Sequence, residues 1–244
     1  MSKHFPDVAG LLELFTRGKD GGDLSKLYDF ENAPRPPTEI ERKFDLLDTA
    51  GSEEIDRRLT RFMSKIGEIV EGRNLTLVGH TTFAGIDRYY PVDIRRPDGS
   101  RFQGTFRYRF GSNRPPQLSL KYQKKEGDNS NRGEFNADVS RADPDTMHAM
   151  LSAVCWAYFC VEQSGNFWKF RDEAGRAVEV VAYKVGRHGE GPSRLFAEIE
   201  AVDFEDASAA FEIIENVQKL LGFSRPHTQS VAEIFGPQRP GDTQ

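Results

Sequence analysis

Five stretches of this chain repeat with a period of two and gather most of their ionic side chains on one face. "TEIERKF" at 38–44 sets Glu39, Glu41 and Lys43 against Ile40 and Arg42, with Phe44 following. "TFRYRF" at 105–110 alternates Arg107 and Arg109 with Phe106, Tyr108 and Phe110. "LSLKYQKK" at 118–125 opposes Ser119, Lys121 and Gln123 to Leu118 and Leu120. "RGEFNADV" at 132–139 sets Arg132, Glu134, Asn136 and Asp138 against Phe135, Ala137 and Val139, and "AEIEAV" at 197–202 sets Glu198 and Glu200 against Ile199. Successive side chains of a strand point to opposite faces, so each stretch predicts a strand with one charged and one apolar face. "AVEVVAYKV" at 177–185 predicts another strand, less cleanly patterned. Taken singly, each fits the wetted face of an antiparallel sheet.

Helices decide between that reading and a second one. Over 52–72 the residues Ile55, Leu59, Phe62, Ile66, Ile69 and Val70 recur at helical steps behind Ser52 as N-cap, with Gly72 as the stop. Asp143 and Pro144 begin a second helix. A third runs from about Asp206 to Leu221, turns Phe211, Ile214, Val217 and Leu221 inward, and ends at Gly222. If these apolar helix faces cover the apolar strand faces, the charged faces point into a lumen. The expected fold class is then α+β: an antiparallel β-barrel with a charged interior and helices packed outside.

The inventory of such a lumen is two-signed. Glu39, Glu41, Glu134, Glu198 and Glu200 offer the oxygens that hard Mg²⁺ or Mn²⁺ ions take. Lys43, Arg107, Arg109, Lys121 and Arg132 offer forked and point-charge donors suited to phosphate. A carboxylate cluster beside a basic one suits a metal–polyphosphate complex.

Other chemistries find less support. A formal net charge of −5 argues against bulk binding to DNA or anionic membrane. The longest nearly apolar run, "MLSAVCWAYFCV" at 150–161, is shorter than the ~20 residues of a spanning helix. Cys155 and Cys160 read as buried free thiols, which favours a reducing, cytoplasmic location. The histidines His4, His80, His148, His188 and His227 are scattered without metal-ligand spacing and read as surface or core residues. Neither a P-loop nor a Gly-x-Gly-x-x-Gly motif occurs. Trp156 and Trp168 read as packing residues, and "KKEGDNSNRG" at 124–133 as a solvated hairpin or a mobile edge of the lumen.

In this order the motifs resemble the CYTH superfamily, also called triphosphate tunnel metalloenzymes. "EIERK" matches its ExExK signature, and "DRYY" at 87–90 sits where the family often has an aspartate and paired aromatics. "RYR" at 107–109, Lys121, Arg132 with Glu134, and "EIE" at 198–200 are similar to its later strands, and "SVAEIF" at 230–235 to its closing element. The resemblance covers residues 38–236. It implies an eight-stranded antiparallel tunnel that binds a triphosphate with Mg²⁺ or Mn²⁺. Carried over by position, Glu39, Glu41, Glu198 and Glu200 are the implied metal ligands, and Glu134 either joins them or orients a basic neighbour. Lys43, Arg107, Arg109, Lys121 and Arg132 are the implied triphosphate contacts, and Lys43 and Glu41 the implied catalytic residues. The implied reaction is hydrolysis of tripolyphosphate, thiamine triphosphate, a nucleotide or an RNA 5′-triphosphate end. The alternatives are cyclisation of ATP to cAMP and pyrophosphate, or triphosphate binding without catalysis.

Two positions depart from the family pattern. Ser164, Gly165 and Asn166 stand where a basic pair is usual, with Lys169 and Arg171 as substitutes only if the register shifts. Tyr183 stands for an acidic residue on the next strand. Residues 1–37 read as an N-terminal extension, partly helical or flexible: "LLELF" at 11–15 is interrupted by "GKDGGD", and "APRPP" at 33–37 is an extended lead-in. Residues 237–244 read as a flexible tail.

Overall fold

The computed structural model describes residues 38–47, 52–70, 74–95, 101–112, 116–123, 131–139, 141–155, 157–202, 204 and 206–237. The expected extension at 1–37, the tail beyond 237, the turn at 97–99, the loop tip at 124–130 and Trp156 lie outside the described residues.

Among the described residues eight strands and four helices follow one another: β1 Thr38–Leu47, α1 Ser52–Val70, β2 Leu75–Arg95, β3 Arg101–Ser112, β4 Gln117–Gln123, β5 Asn131–Asp138, α2 Pro144–Val154, β6 Phe159–Asp172, β7 Ala177–Arg187, β8 Glu190–Val202, α3 Ala207–Leu221 and α4 Val231–Phe235. All strand pairs are antiparallel, in the ring order β1-β5-β4-β3-β2-β6-β7-β8. β1 completes the ring, pairing with β8 from Ile40 opposite Ala201 to Leu47 opposite Leu195. Among the described residues its seam with β5 runs over Thr38, Glu39 and Ile40, opposite Gly133, Arg132 and Asn131.

The helices form where their caps and periodicity place them. α1 ends at Val70, two residues before the expected stop. Asp143 accepts the Thr146 backbone N–H at 2.8 Å and begins α2, with Pro144 in the first turn. In α3 the Asp206 side chain accepts from the Ser208 N–H, and Gly222, at φ 70°, lets the Phe223 N–H reach the Gln218 carbonyl at 3.1 Å. α1 and α3 lie outside the ring. Their residues Phe62, Ile66, Ile69, Ala210, Ile214, Val217 and Leu221 form one core with Ile40 and Phe44 of β1 and with Trp168, Phe170, Val178, Val180 and Ile199 of β6 to β8. Each such large apolar side chain contributes about 1.5–3 kcal/mol through burial. With that face covered, the alternate residues of the same strands face inward, so Glu41, Lys43, Glu179, Glu198 and Glu200 point into the lumen, while Arg42 faces out and bonds Glu215 and Gln218 of α3.

A second core lies inside the ring. Phe83, Tyr89, Phe159, Val161, Tyr183, Val185 and Phe196 share the inward parity and pack with Val231 of α4, against which Ala232, Ile234 and Phe235 add partly buried surface. α4 is held there by a Ser230–Glu233 capping box and by Arg187 Nε, which donates to the Phe235 carbonyl at 2.9 Å. The His227 N–H reaches the Lys43 carbonyl at 2.6 Å, and its ring stacks on Phe196 at 5.5 Å. One end of the lumen is therefore filled with apolar side chains. Cys155 and Cys160 are free thiols, half-buried rather than buried as expected.

Candidate functional site

The register sorts the inward-facing charges into two walls. On the acidic wall Glu41 of β1 lies opposite Glu200 of β8, which lies opposite Glu179 of β7. One row nearer the apolar end, Lys43 lies opposite Glu198. On the basic wall Arg107 and Arg109 of β3 stand beside Ser119, Gln117 and Lys121 of β4 and Glu134 of β5. Inside a barrel water screens such charges poorly, so each must be held by partners.

Those partners are in place. Lys43, 6% exposed, puts Nζ 3.3 Å from Glu198 Oε1 and 5.6 Å from the centre of the Phe196 ring. The Tyr183 hydroxyl donates to the same Glu198 oxygen at 2.7 Å. Burial first, and then the Glu198 charge, push that hydroxyl well above its ordinary range, so it stays a donor. Burial and the neighbouring Asp87 likewise raise Tyr89. On the basic wall Glu134 takes Lys121 Nζ at 3.0 Å and Arg107 Nη2 at 3.3 Å. Arg109 grips Asp87, which is fully buried, through Nε and Nη2 at 3.0 Å each.

Glu41, Lys43, Arg107, Arg109, Lys121, Glu134, Glu198 and Glu200 thus all line one lumen. Glu39 and Arg132 lie opposite each other in the β1–β5 register; their side chains lie outside the described residues. Glu134 stands among the basic residues and orients two of them. Among the described residues no three His, Cys, Asp or Glu side chains are close enough to hold an ion as they stand. The carboxylate oxygens of the acidic wall nevertheless have the hard-donor chemistry that Mg²⁺ or Mn²⁺ takes.

The two departures have structural explanations. Gly165 faces inward opposite Tyr183, whereas Ser164 and Asn166 face outward, where Asn166 Oδ1 meets His80 Nε2 at 3.0 Å. A Cβ at Gly165 would stand 2.2 Å from the Ala182 carbonyl oxygen, so no side chain fits there. Lys169 reaches the lumen without a register shift: it lies opposite Glu179 and puts Nζ 2.8 Å from Glu179 Oε1. Arg171 is exposed and bonds instead to the Gly175 carbonyl. Glu179, Asp87 and Gln163 were not among the expected site residues. The signal for the first two was parity, because each occupies the inward face of its strand once pairing is known.

Each described histidine has a local partner. His80 stacks on Trp168 at 5.2 Å, the Tyr90 hydroxyl lies 2.9 Å from His148 Nδ1, and His188 meets Glu162.

Solved structures share this fold at low sequence identity. PH1819 protein from Pyrococcus horikoshii OT3 is 19% identical, covers 80% of this chain and 97% of its own, and superposes with a TM-score of 0.50. A protein of Bacillus halodurans provisionally assigned as an adenylate cyclase is 13% identical over 84% of this chain and 100% of its own, with a TM-score of 0.43. The mimivirus capping enzyme triphosphatase is 11% identical over 91% of this chain and 99% of its own, with a TM-score of 0.39. No protein-family model matches the chain, and no curated protein matches it by sequence. No helix among the described residues is long and apolar enough to cross a membrane.

Proposed function

We propose that this lumen binds a linear or organic triphosphate together with Mg²⁺ or Mn²⁺ and hydrolyses its terminal phosphoanhydride. The observation that carries the reading is the pairing of an acidic wall on β1, β8 and β7 with a basic wall on β3 and β4 inside one ring. Glu39, Glu41, Glu198 and Glu200 would hold the ion, which when bound supplies charge to polarise the terminal phosphoryl group. Arg107, Arg109, Lys121 and Arg132 grip the phosphate oxygens and stabilise the charge that develops as the bond to the leaving phosphate lengthens. Lys43, held between Glu198 and the Phe196 ring, stands within the acidic wall and stabilises the attacked phosphoryl group. A water attacks in line, and its proton passes to the carboxylate-lined side of the lumen.

The test is a panel of tripolyphosphate, thiamine triphosphate, ATP, GTP and 5′-triphosphorylated RNA, each with Mg²⁺, Mn²⁺ or chelator. Orthophosphate release that requires the metal is the expected outcome, and Glu41→Gln abolishes it. Formation of cAMP and pyrophosphate from ATP would move the assignment to a cyclase. Tight triphosphate binding with no product from any substrate would move it to a binding module.

A further inference from the structure

We infer that Asp87 is a positioning residue that decides which edge of the Arg109 guanidinium meets a phosphate; the inference rests on the triphosphate reading above. Asp87 is fully buried. Its oxygens accept Arg109 Nε at 3.0 and 3.3 Å, Arg109 Nη2 at 3.0 Å and Gln163 Nε2 at 2.7 Å. Arg107 Nε stands 4.0 Å from the Oδ2 that Arg109 Nη2 and Gln163 Nε2 share. A guanidinium carries its donors in a rigid planar fork. With the Nε–Nη2 edge committed to Asp87, Arg109 offers the lumen its end edge, formed by Nη1 and the second Nη2 hydrogen. Gln163 is neutral and fixes the carboxylate from β6, so the plane of the fork is set by two strands rather than by Arg109's own rotamers.

Charge and geometry predict opposite signs here. A carboxylate in the basic wall lowers its positive potential, so by charge alone removing Asp87 tightens anion binding. By positioning, removing it weakens binding, because a planar two-point contact to phosphate tolerates little misorientation. Positioning also requires that Asp87 act through Arg109.

The full chain is titrated with tripolyphosphate by calorimetry, in chelator, as wild type, Asp87→Asn, Arg109→Ala and the double variant. Asp87→Asn is expected to weaken binding on the order of 10-fold, the loss of about one charge-assisted contact. In the Arg109→Ala background the same change costs much less, a coupling that a general loss of fold does not produce. Gln163→Ala, which leaves the ion pair in place, weakens binding in the same direction by a smaller factor. Tighter or unchanged binding in Asp87→Asn and Gln163→Ala, or additive losses in the cycle, overturns the inference. A ligand-free readout accompanies it: the Arg109 Nε–H resonance is sharp and slow to exchange in the wild type and lost in Asp87→Asn. If wild type binds no tripolyphosphate, the triphosphate reading fails and takes the phosphate part with it. The resonance then still decides whether Asp87 fixes the guanidinium.

Discussion

Replacing Gly165 by alanine tests the pairing that shapes the lumen. A Cβ there would lie 2.2 Å from the Ala182 carbonyl oxygen and 2.7 Å from both Cα and Cβ of Tyr183. Favourable carbon contacts lie at about 3.5–4.0 Å, so the two strands would have to separate by roughly 1 Å. The obstacle is mostly backbone, in the middle of the β6–β7 ladder where Gly165 is opposite Tyr183, so no side chain can swing aside. Overpacking typically costs about 1–3 kcal/mol, and a backbone clash belongs at the upper end. The lower unfolded-state entropy of alanine returns only about 0.4–1 kcal/mol. A net loss of about 2–3 kcal/mol lowers Tm by roughly 4–12 °C for a chain of this size. The control is Gly79→Ala on β2, where the nearest atom, Lys169 Cβ, is 3.9 Å away. Thermal melts and urea titrations of both variants should separate them clearly. Equal midpoints for Gly165→Ala, Gly79→Ala and wild type would refute the close approach of β6 and β7, and with it the reason that no basic side chain occupies position 165.

Tyr183→Phe keeps the ring but removes the 2.7 Å bond to Glu198; it is expected to cost about 1–2 kcal/mol in urea unfolding and to weaken Mn²⁺ binding measured by calorimetry. Lys169→Ala removes the partner of Glu179 at a partly exposed pair, so stability in the same assay should fall by only about 1 kcal/mol or less. Val231→Asp buries a carboxylate in the apolar end of the lumen, and limited proteolysis should then cut around α4 before the strands. Burial pushes the Tyr90 hydroxyl up to about 12. A tyrosine pKa raised in the folded state stabilises fully below the unfolded value and loses that contribution as pH climbs through the folded one. Absorbance titration should therefore show Tyr90 still protonated near pH 11 in native protein and ionised in urea, with stability falling over that alkaline window.

How much of this was legible in the sequence depends on whether a feature is set within one strand or between two. Parity is set within one strand. The alternation in "TEIERKF", "TFRYRF" and "AEIEAV" placed Glu41, Lys43, Arg107, Arg109, Glu198 and Glu200 on a common kind of face, and all of them line the lumen. The helices were legible for the same reason, since the Asp143 and Asp206 caps and the Gly222 stop are local signals. β2 and β6 were harder to read. Over 21 residues β2 passes from an exposed stretch at Leu77 and Val78 to the buried Asp87 and Tyr89, so no single alternation spans it.

Rows across strands were not legible, because they are fixed by pairing. Counted along its own strand, Lys169 stands four residues past Gly165, which made it look displaced from the site. Counted across the ladder, it lies opposite Glu179, which lies opposite Glu200, which lies opposite Glu41. The base and the acid that the motif pattern lacked near Gly165 and Tyr183 therefore occur together, two rows along and bonded to each other at 2.8 Å. The row they left holds Tyr183 and Phe196, which pack with α4 at the filled end of the lumen. Near that end a side chain at 165 is excluded by the β7 backbone, and an ionised one at 183 would lie among Phe83, Val185 and Phe196. Position 165 is thus closed by the β7 backbone and position 183 by its apolar neighbours, whereas the ionic pair, with side chains 32% and 15% exposed, sits two rows along from both.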